Sequence, residues 1–489
     1  MPAWSENQVA GRARLSFLVS FAEKYCLLVL NTVGAMVLAR LLTPAEVGLY
    51  AIGAVLAGLL QVLRDFGVGA YLVQAPQLTP AILRAAFTVN LLVGWTLAAT
   101  AYVAAGPVAA LYAEPRLQTI VQLLAINFLL LPFSALALPC LRRQLRFAAI
   151  FIINASQTLA QLAVSVWLAW RGFAHLSLVW GAVAGTVAAL LASLCCRPRG
   201  LPWRPGWRGV GAIWRFGAVS TGGTVVDETG VAAPDLIIGK LIGVSEVAMF
   251  GKAMGVINVF NQLVTAAISP VIFPLFAASA RAGADLRAAY LRTASYVTAL
   301  AWPFFGSVAL LAPAIVRVLY GAQWDAAVPL IRVICLGSAL YSMFGMARYL
   351  FVAMGEVGAQ ARLDATAVPV RIAALLLAAP FGLLAVAWAV VAGAVFRSWL
   401  TYRVLRRLNG MGAGHLVGAV RHSAVLAAIS MTGPALVLHW CEGTTLQLLA
   451  GLASALVPWL VAVLLLDHAL AAEFRRAAAR LGALARRHH

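Results

Sequence analysis

Twelve ionisable side chains fall inside long apolar stretches of this 489-residue sequence: Lys24, Arg64, Lys252, Arg332, Arg348, Arg371 and Arg397, with Glu23, Asp65, Asp227, Glu228 and Asp235. Two kinds of chemistry suit such a set. Cationic side chains held away from bulk water bind phosphate oxygens, an arginine in bidentate fashion, so Lys24, Arg64, Arg332, Arg348, Arg371 and Arg397 are candidate substrate-binding residues of a cationic cavity. Carboxylates in the same setting can exchange a proton or an ion. That coupling or charge-relay role is open to Glu23, Asp65, Asp227, Glu228 and Asp235, which equally suit plain neutralisation of Arg332, Arg371 or Lys24. In the adjacent pairs Glu23-Lys24 and Arg64-Asp65 the side chains point about 100° apart on a helix, so each residue is expected to reach a different partner. Arg64, Asp65 and Lys252 lie close enough to span ends to snorkel toward water.

Neutral polar residues continue the pattern at helical spacing. Ser16, Ser20, Glu23, Asn31 and Gly34 form one stripe; Asn154, Gln157, Gln161 and Ser165 a second; Ser220, Thr224, Asp227 and Asp235 a third; Asn258, Asn261, Gln262 and Thr265 a fourth. Such stripes either line a water-filled path or hydrogen-bond neighbouring helices. A charge at mid-bilayer costs roughly 2.5 to 3.5 kcal/mol even on insertion scales, and twelve of them favour the path.

The elements that position these residues are set by composition. Hydrophobic residues make up 63% of the chain and charged residues only 11%, with a mean hydropathy of +0.92, well outside the range of a water-soluble domain. Apolar runs of about 20 residues recur along the chain, each long enough to cross a hydrocarbon core of about 30 Å. Fourteen are expected, near 15–40, 46–72, 82–106, 117–140, 148–170, 174–196, 213–239, 246–276, 293–316, 326–354, 363–380, 383–402, 422–440 and 446–467. Long runs rich in Leu, Ala and Gly point to an all-α polytopic membrane protein rather than a β-barrel. The six cysteines form no C-x-x-C pair and read as core packing; neither a metal nor a cofactor is expected.

Loop charge orients the spans. With alternate loops assigned to opposite sides, twenty-four Lys and Arg fall on one side and five on the other, which puts both termini in the cytoplasm of a bacterial inner membrane. This bias accounts for the formal net charge of +20 through anionic membrane lipids and without nucleic acid. The stretch from Arg197 to Arg215 mixes arginines with Trp203, Trp207 and Trp214, as an interfacial segment would.

An offset of 200 aligns RLLTPAEVGLY (Arg40 to Tyr50) with KLIGVSEVAMF (Lys240 to Phe250), and Leu111-Tyr112 resembles Leu319-Tyr320. Two such matches in order, each six spans apart, indicate two parallel six-helix repeats. The expected organisation is an N-lobe at 1–196, a basic linker at 197–212, a C-lobe at 213–408, two extra helices at 409–468 and a basic amphipathic tail at 469–489.

VLARLLTPAEVGLYAI (Val37 to Ile52), DFGVGAYLVQ (Asp65 to Gln74), LRRQLRF after the fourth span, PDLIIGKLIGVSEVAMFGKA (Pro234 to Ala253), PVIFPLFA (Pro270 to Ala277) and VLYGAQWDAAVPLIRVICLG (Val318 to Gly337) resemble the Wzx-type polysaccharide flippases of the multidrug/oligosaccharidyl-lipid/polysaccharide exporter superfamily. The resemblance implies two six-helix lobes forming a V, alternating access, and an undecaprenyl-diphosphate-linked oligosaccharide as cargo. It also implies neighbours in polysaccharide export, a polymerase and glycosyltransferases, with the carrier itself a monomer. Arg371 and Arg332 are the expected contacts to the diphosphate, and Arg371 follows Asp364 by seven residues on one helix face. Phe250 and Ala248 depart from the Tyr and Gly of related sequences.

The alternatives are an ion-coupled small-molecule antiporter of the same superfamily, with Asp227, Glu228 and Asp235 as its ion site, and a membrane-embedded enzyme of polysaccharide assembly. The cationic excess argues against cationic drugs. All seven histidines lie at span ends or in loops, no outer loop exceeds about a dozen residues, and no G-x-x-x-x-G-K-[ST] occurs. No enzymatic activity is therefore expected.

Overall fold

The computed structural model describes residues 6–198 and 200–465, and among the described residues all regular secondary structure is helical. Arg199, the tail at 469–489 and the last two residues of the fourteenth expected span lie outside the described residues, as do the side chains of Arg12, Arg14, Ser16, Ser20 and Thr265. In chain order the helices are α1 (Glu6–Leu41), α2 (Pro44–Asp65), α3 (Val68–Gln74), α4 (Pro80–Tyr112), α5 (Arg116–Ser134), α6 (Ala137–Arg143), α7 (Phe147–Trp170), α8 (His175–Cys195) and α9 (Val210–Leu241). They continue with α10 (Val244–Phe260), α11 (Ala266–Arg281), α12 (Leu286–Leu319), α13 (Ala327–Ser342), α14 (Ala347–Ala353), α15 (Val357–Ala378), α16 (Leu383–Asn409), α17 (Ala413–Trp440) and α18 (Thr444–Leu465). Thirteen helices among the described residues are long and apolar enough to cross a membrane. The remaining expected span is α9, long enough at 32 residues but interrupted by Asp227, Glu228 and Asp235.

Three of the spans expected as continuous helices are broken and a fourth carries a π-helical turn. The second divides into α2 and α3 at Phe66 and Gly67, both in the left-handed region with φ of 35° and 61°. The fourth divides into α5 and α6, and the tenth into α13 and α14. The eighth runs from α10 through a π-helical turn at Asn261–Thr265 into α11. These irregularities thus fall in the second, fourth, eighth and tenth expected spans. Local capping recurs as well. Thr43 and Glu46 form a reciprocal cap on α2, the Thr43 N–H donating to Glu46 Oε2 at 2.8 Å and the Glu46 N–H to Thr43 Oγ1 at 3.4 Å. At the aligned position Glu246 folds back on Gly243, where a Cβ would lie 2.5 Å from its carboxylate.

The chain forms two compact units, Met1–Ala248 and Met249–His489. In the first, α7 and α8 pack closely because Gly181 and Gly185 face α7: a Cβ on Gly181 would fall 1.9 Å from Ser165 Oγ. At Gly34, α1 meets Leu162 of α7. The expected linker is seated on α4, with Thr88 Oγ1 donating to the Gly206 carbonyl at 3.0 Å and accepting from its N–H at 2.8 Å. Arg197 stacks 3.6 Å over the ring of Trp203, while Trp203, Trp207 and Trp214 stay exposed. The repeat expected from the sequence puts the seventh span at the head of the second half; in the structure α9 packs against α2, α3 and α4. Phe66 explains this: its ring lies 4.8 Å from Trp214, and its carbonyl would be 2.4 Å from a Cβ on Gly217, a contact only glycine allows.

In the second unit, α17 and α18 pack on α12. Hydrogen bonds join them: the buried Thr298 Oγ1 donates to Ser423 Oγ at 2.9 Å, and the half-buried Trp459 donates from Nε1 to the Ala299 carbonyl at 2.8 Å. Both extra helices are therefore integral to this unit's core. Of the cysteines, Cys140 and Cys335 are core residues, whereas Cys26 and Cys195 are exposed. Core packing does not describe those last two, because their helix faces point away from the bundle.

Candidate functional site

The second unit gathers a charged cluster from α13, α15 and α16. Gln360, Asp364 and Arg371 lie along one face of α15 by helical spacing. Gly393 and Arg397 lie one turn apart on α16, and the stem of Arg371 rests on Gly393, where a Cβ would be 3.2 Å from Arg371 Cγ. Arg397 Nη2 donates to Asp364 Oδ1 at 2.5 Å, Gln360 Nε2 donates to Asp364 Oδ2 at 2.7 Å, and Arg397 Nε donates to the Tyr341 hydroxyl at 3.2 Å. Asp364 is 8% exposed. Arg371 lies near enough to feel the charge of Arg397, and its buried Nε has no acceptor among the described residues.

The cluster therefore holds two guanidiniums and one carboxylate. One buried donor is left over, an arrangement that costs about 1–3 kcal/mol when nothing accepts from it. The excess of one positive charge, on two half-buried guanidiniums, is of the sign and donor type that suits an anion with several oxygens.

The other expected site residues are placed as follows. Arg332 does not join Arg371. It sits nine residues before Tyr341, half a turn round α13, and its Nε reaches toward the Ala309 carbonyl of α12 at 3.4 Å. Arg348 is exposed on α14. Arg64 and Asp65 pair with each other, contrary to the expectation of separate partners: α2 ends at Asp65, so the long guanidinium folds back over the last turn. Glu23 does find a separate partner, accepting from Asn154 Nδ2 at 2.7 Å across α1 and α7, while Lys24 is exposed. The first two stripes thus meet each other. Asn31 bonds back to the Leu27 carbonyl of its own helix at 2.8 Å, and Gln157 and Gln161 lie beside Gly185 of α8. On α9, Asp227 and Asp235 are half-buried and Glu228 is exposed; Asn258, Asn261 and Gln262 are exposed around the π-helical turn.

Lys252 is clamped rather than snorkelling. Its ammonium lies 4.7 Å from the Tyr320 ring and 4.9 Å from that of Trp324, two aromatic faces that attract a cation. Sequence reasoning missed these partners, together with Gln360 and Tyr341. A Gln four residues before Asp364 was the available signal for the first; Tyr341 and the aromatic pair come from distant segments.

Residues 37–329 match the family described as polysaccharide biosynthesis protein. The chain is 23% identical over 318 residues to the teichuronic acid biosynthesis protein TuaB of Bacillus subtilis, covering 64% of this chain and 65% of that protein. It is 22% identical over 320 residues to the lipopolysaccharide biosynthesis protein WzxC of Escherichia coli, covering 64% of each. The matched part thus spans a little under two thirds of the length of these curated relatives. Among solved structures, the lipid II flippase MurJ in an inward closed conformation superposes with a TM-score of 0.77 at 10% identity, covering 93% of this chain and 99% of that one. At that identity the likeness is one of fold. The family match takes in more than half of the residues, and the chain belongs to the polysaccharide biosynthesis protein family.

Proposed function

We propose that this protein is a flippase that moves an undecaprenyl-diphosphate-linked oligosaccharide from the cytoplasmic to the opposite leaflet of a bacterial inner membrane by alternating access, without chemical catalysis. The observation that carries the reading is the Arg371–Arg397–Asp364 cluster, two guanidiniums and one carboxylate within helices long and apolar enough to cross a membrane. A diphosphate suits it because its oxygens can engage both guanidiniums at once. The fold shared with a lipid II flippase and the polysaccharide-related names of the relatives support the same reading. Both termini lie in the cytoplasm on this proposal, the carrier works as a monomer, and a polymerase and glycosyltransferases act before and after it.

The test is reconstitution in liposomes with an undecaprenyl-diphosphate-linked saccharide placed in one leaflet and its appearance in the other read by lectin accessibility. Movement by the parent protein and its loss in Arg371→Gln support the proposal. A parent protein that moves no lipid-linked saccharide refutes it. A second reading, an ion-coupled small-molecule antiporter, draws on Asp227, Glu228 and Asp235 of α9. Those acids also suit the flippase as the coupling relay.

A further inference from the structure

We propose that the groove on the first unit between α7 and α8 binds an anionic phospholipid of the phosphatidylglycerol type, its phosphate at Arg171 and one acyl chain along α8. The groove is open along the helix surface, offers about 570 Å³ and is lined by apolar side chains of both helices, among them Leu168, Phe173, Trp180, Ala184 and Leu191. It exists because α7 and α8 are drawn together at Gly181 and Gly185. Ala184 and Ala188 then leave a shallow floor beneath the taller walls of Trp180, Phe173 and Leu191, which are 41%, 50% and 57% exposed. The lining residues on α8 recur at three- and four-residue spacing from Trp180 to Leu191, a run of about 16 Å at 1.5 Å per residue. That is about half of a 30 Å hydrocarbon core, so the groove fits the depth of one leaflet.

Its mouth is charged. Arg171, in the turn joining the two helices, stacks its guanidinium 5.4 Å over the Trp167 ring. Stacking uses the face of the guanidinium and leaves its N–H edge for a phosphate. Trp170, 73% exposed, and Phe173 stand beside it, giving the aromatic and basic belt that marks the headgroup level. Of the acids in other turns, Glu114 is paired with Arg116 at 3.1 Å and Glu46 is committed to the Thr43 N–H, which leaves Arg171 to an outside anion. A cation at the mouth and an apolar trough of one-leaflet depth match an anionic lipid. A second protein copy would not need the cation.

The experiment uses the full-length protein in detergent and a phosphatidylglycerol carrying a diazirine on its acyl chain, with native mass spectrometry for stoichiometry and peptide mapping for the crosslink. The expected result is labelling within Trp180 to Leu191, displaced by phosphatidylglycerol at least fivefold better than by phosphatidylethanolamine. Arg171→Gln should erase that preference. Ala184→Trp, and separately Ala188→Phe in case the first variant folds poorly, should abolish the crosslink. Labelling spread evenly over all exposed helix faces, equal displacement by both lipids, or a dimer that disappears in Ala184→Trp would each overturn the proposal.

Discussion

Replacing Arg371 and Asp364 in turn should move stability in opposite directions, though both belong to one cluster. Arg371→Gln keeps Cβ, Cγ and Cδ, the atoms that rest on Gly393, and removes a guanidinium whose buried Nε has no acceptor. Relief of an unmet buried donor is worth about 1–3 kcal/mol, so the variant should melt at the parent temperature or above it. Asp364→Ala instead strands Arg397, whose side chain is 28% exposed, without the carboxylate it meets at 2.5 Å. Breaking a buried pair costs about 3–5 kcal/mol, and the residual exposure of Arg397 puts the expected loss near the low end of that range. Function should rank differently. Arg371 is assigned charge-assisted bonds to the cargo, worth about 1.5–3 kcal/mol, or roughly ten- to 150-fold in affinity at 1.4 kcal/mol per decade. Thermal unfolding in detergent and saccharide export in cells, read together with protein level, check both halves. An Arg371→Gln protein that is destabilised as far as Asp364→Ala, or that exports normally, would show that Arg371 serves packing alone.

Three further outcomes are expected. Alkaline phosphatase fused after His489 should be inactive, since twenty-four basic residues against five set the cytoplasmic side; an active fusion would invert the topology. Asp227→Asn combined with Glu228→Gln should abolish the response of cargo movement to an imposed pH gradient in proteoliposomes, and an unchanged response would leave these acids with a neutralising role only. Trp324→Ala should lower stability by about 3–5 kcal/mol, because Trp324 is fully buried and also holds Lys252; a loss under 1 kcal/mol in a denaturation series would contradict the clamp.

What could be read from the sequence followed how local its physical cause is. Spans are written in continuous apolar runs, so thirteen of the fourteen are met by helices long and apolar enough to cross, though not all of them unbroken, and α9 departs for a visible reason, its three acids. The cap on α2 follows from Thr43, Pro44 and Glu46 within four residues. Partners across helices are a different matter. The side of α15 that carries Asp364 and Arg371 is set by spacing and could be anticipated. That Arg397 rather than Arg332 completes it depends on Gly393 allowing α16 to approach, and on Tyr341 facing the cluster while Arg332 faces α12. Helix breaks were missed because length alone suits a single span, and Gly67, one of many glycines in the apolar runs, does not by itself announce the left-handed turn it makes with Phe66. The Glu23–Asn154 bond shows that a polar stripe fixes which face is polar but not which helix answers it.

The seat of α9 on the first unit has a consequence for biosynthesis. A membrane protein is made from its amino terminus and its segments associate as they are released. The pocket around Phe66 is filled by Gly217 and Trp214, and Ile52 and Tyr112 close over Gly239. Until Leu241 has left the ribosome, six spans wait with those sockets open to lipid. A nascent chain halted after Cys195 should therefore remain sensitive to protease at the α2–α3 break, and one halted beyond Val244, which also packs against Gly48, should acquire resistance. The first unit matures only when α9 has been delivered to it.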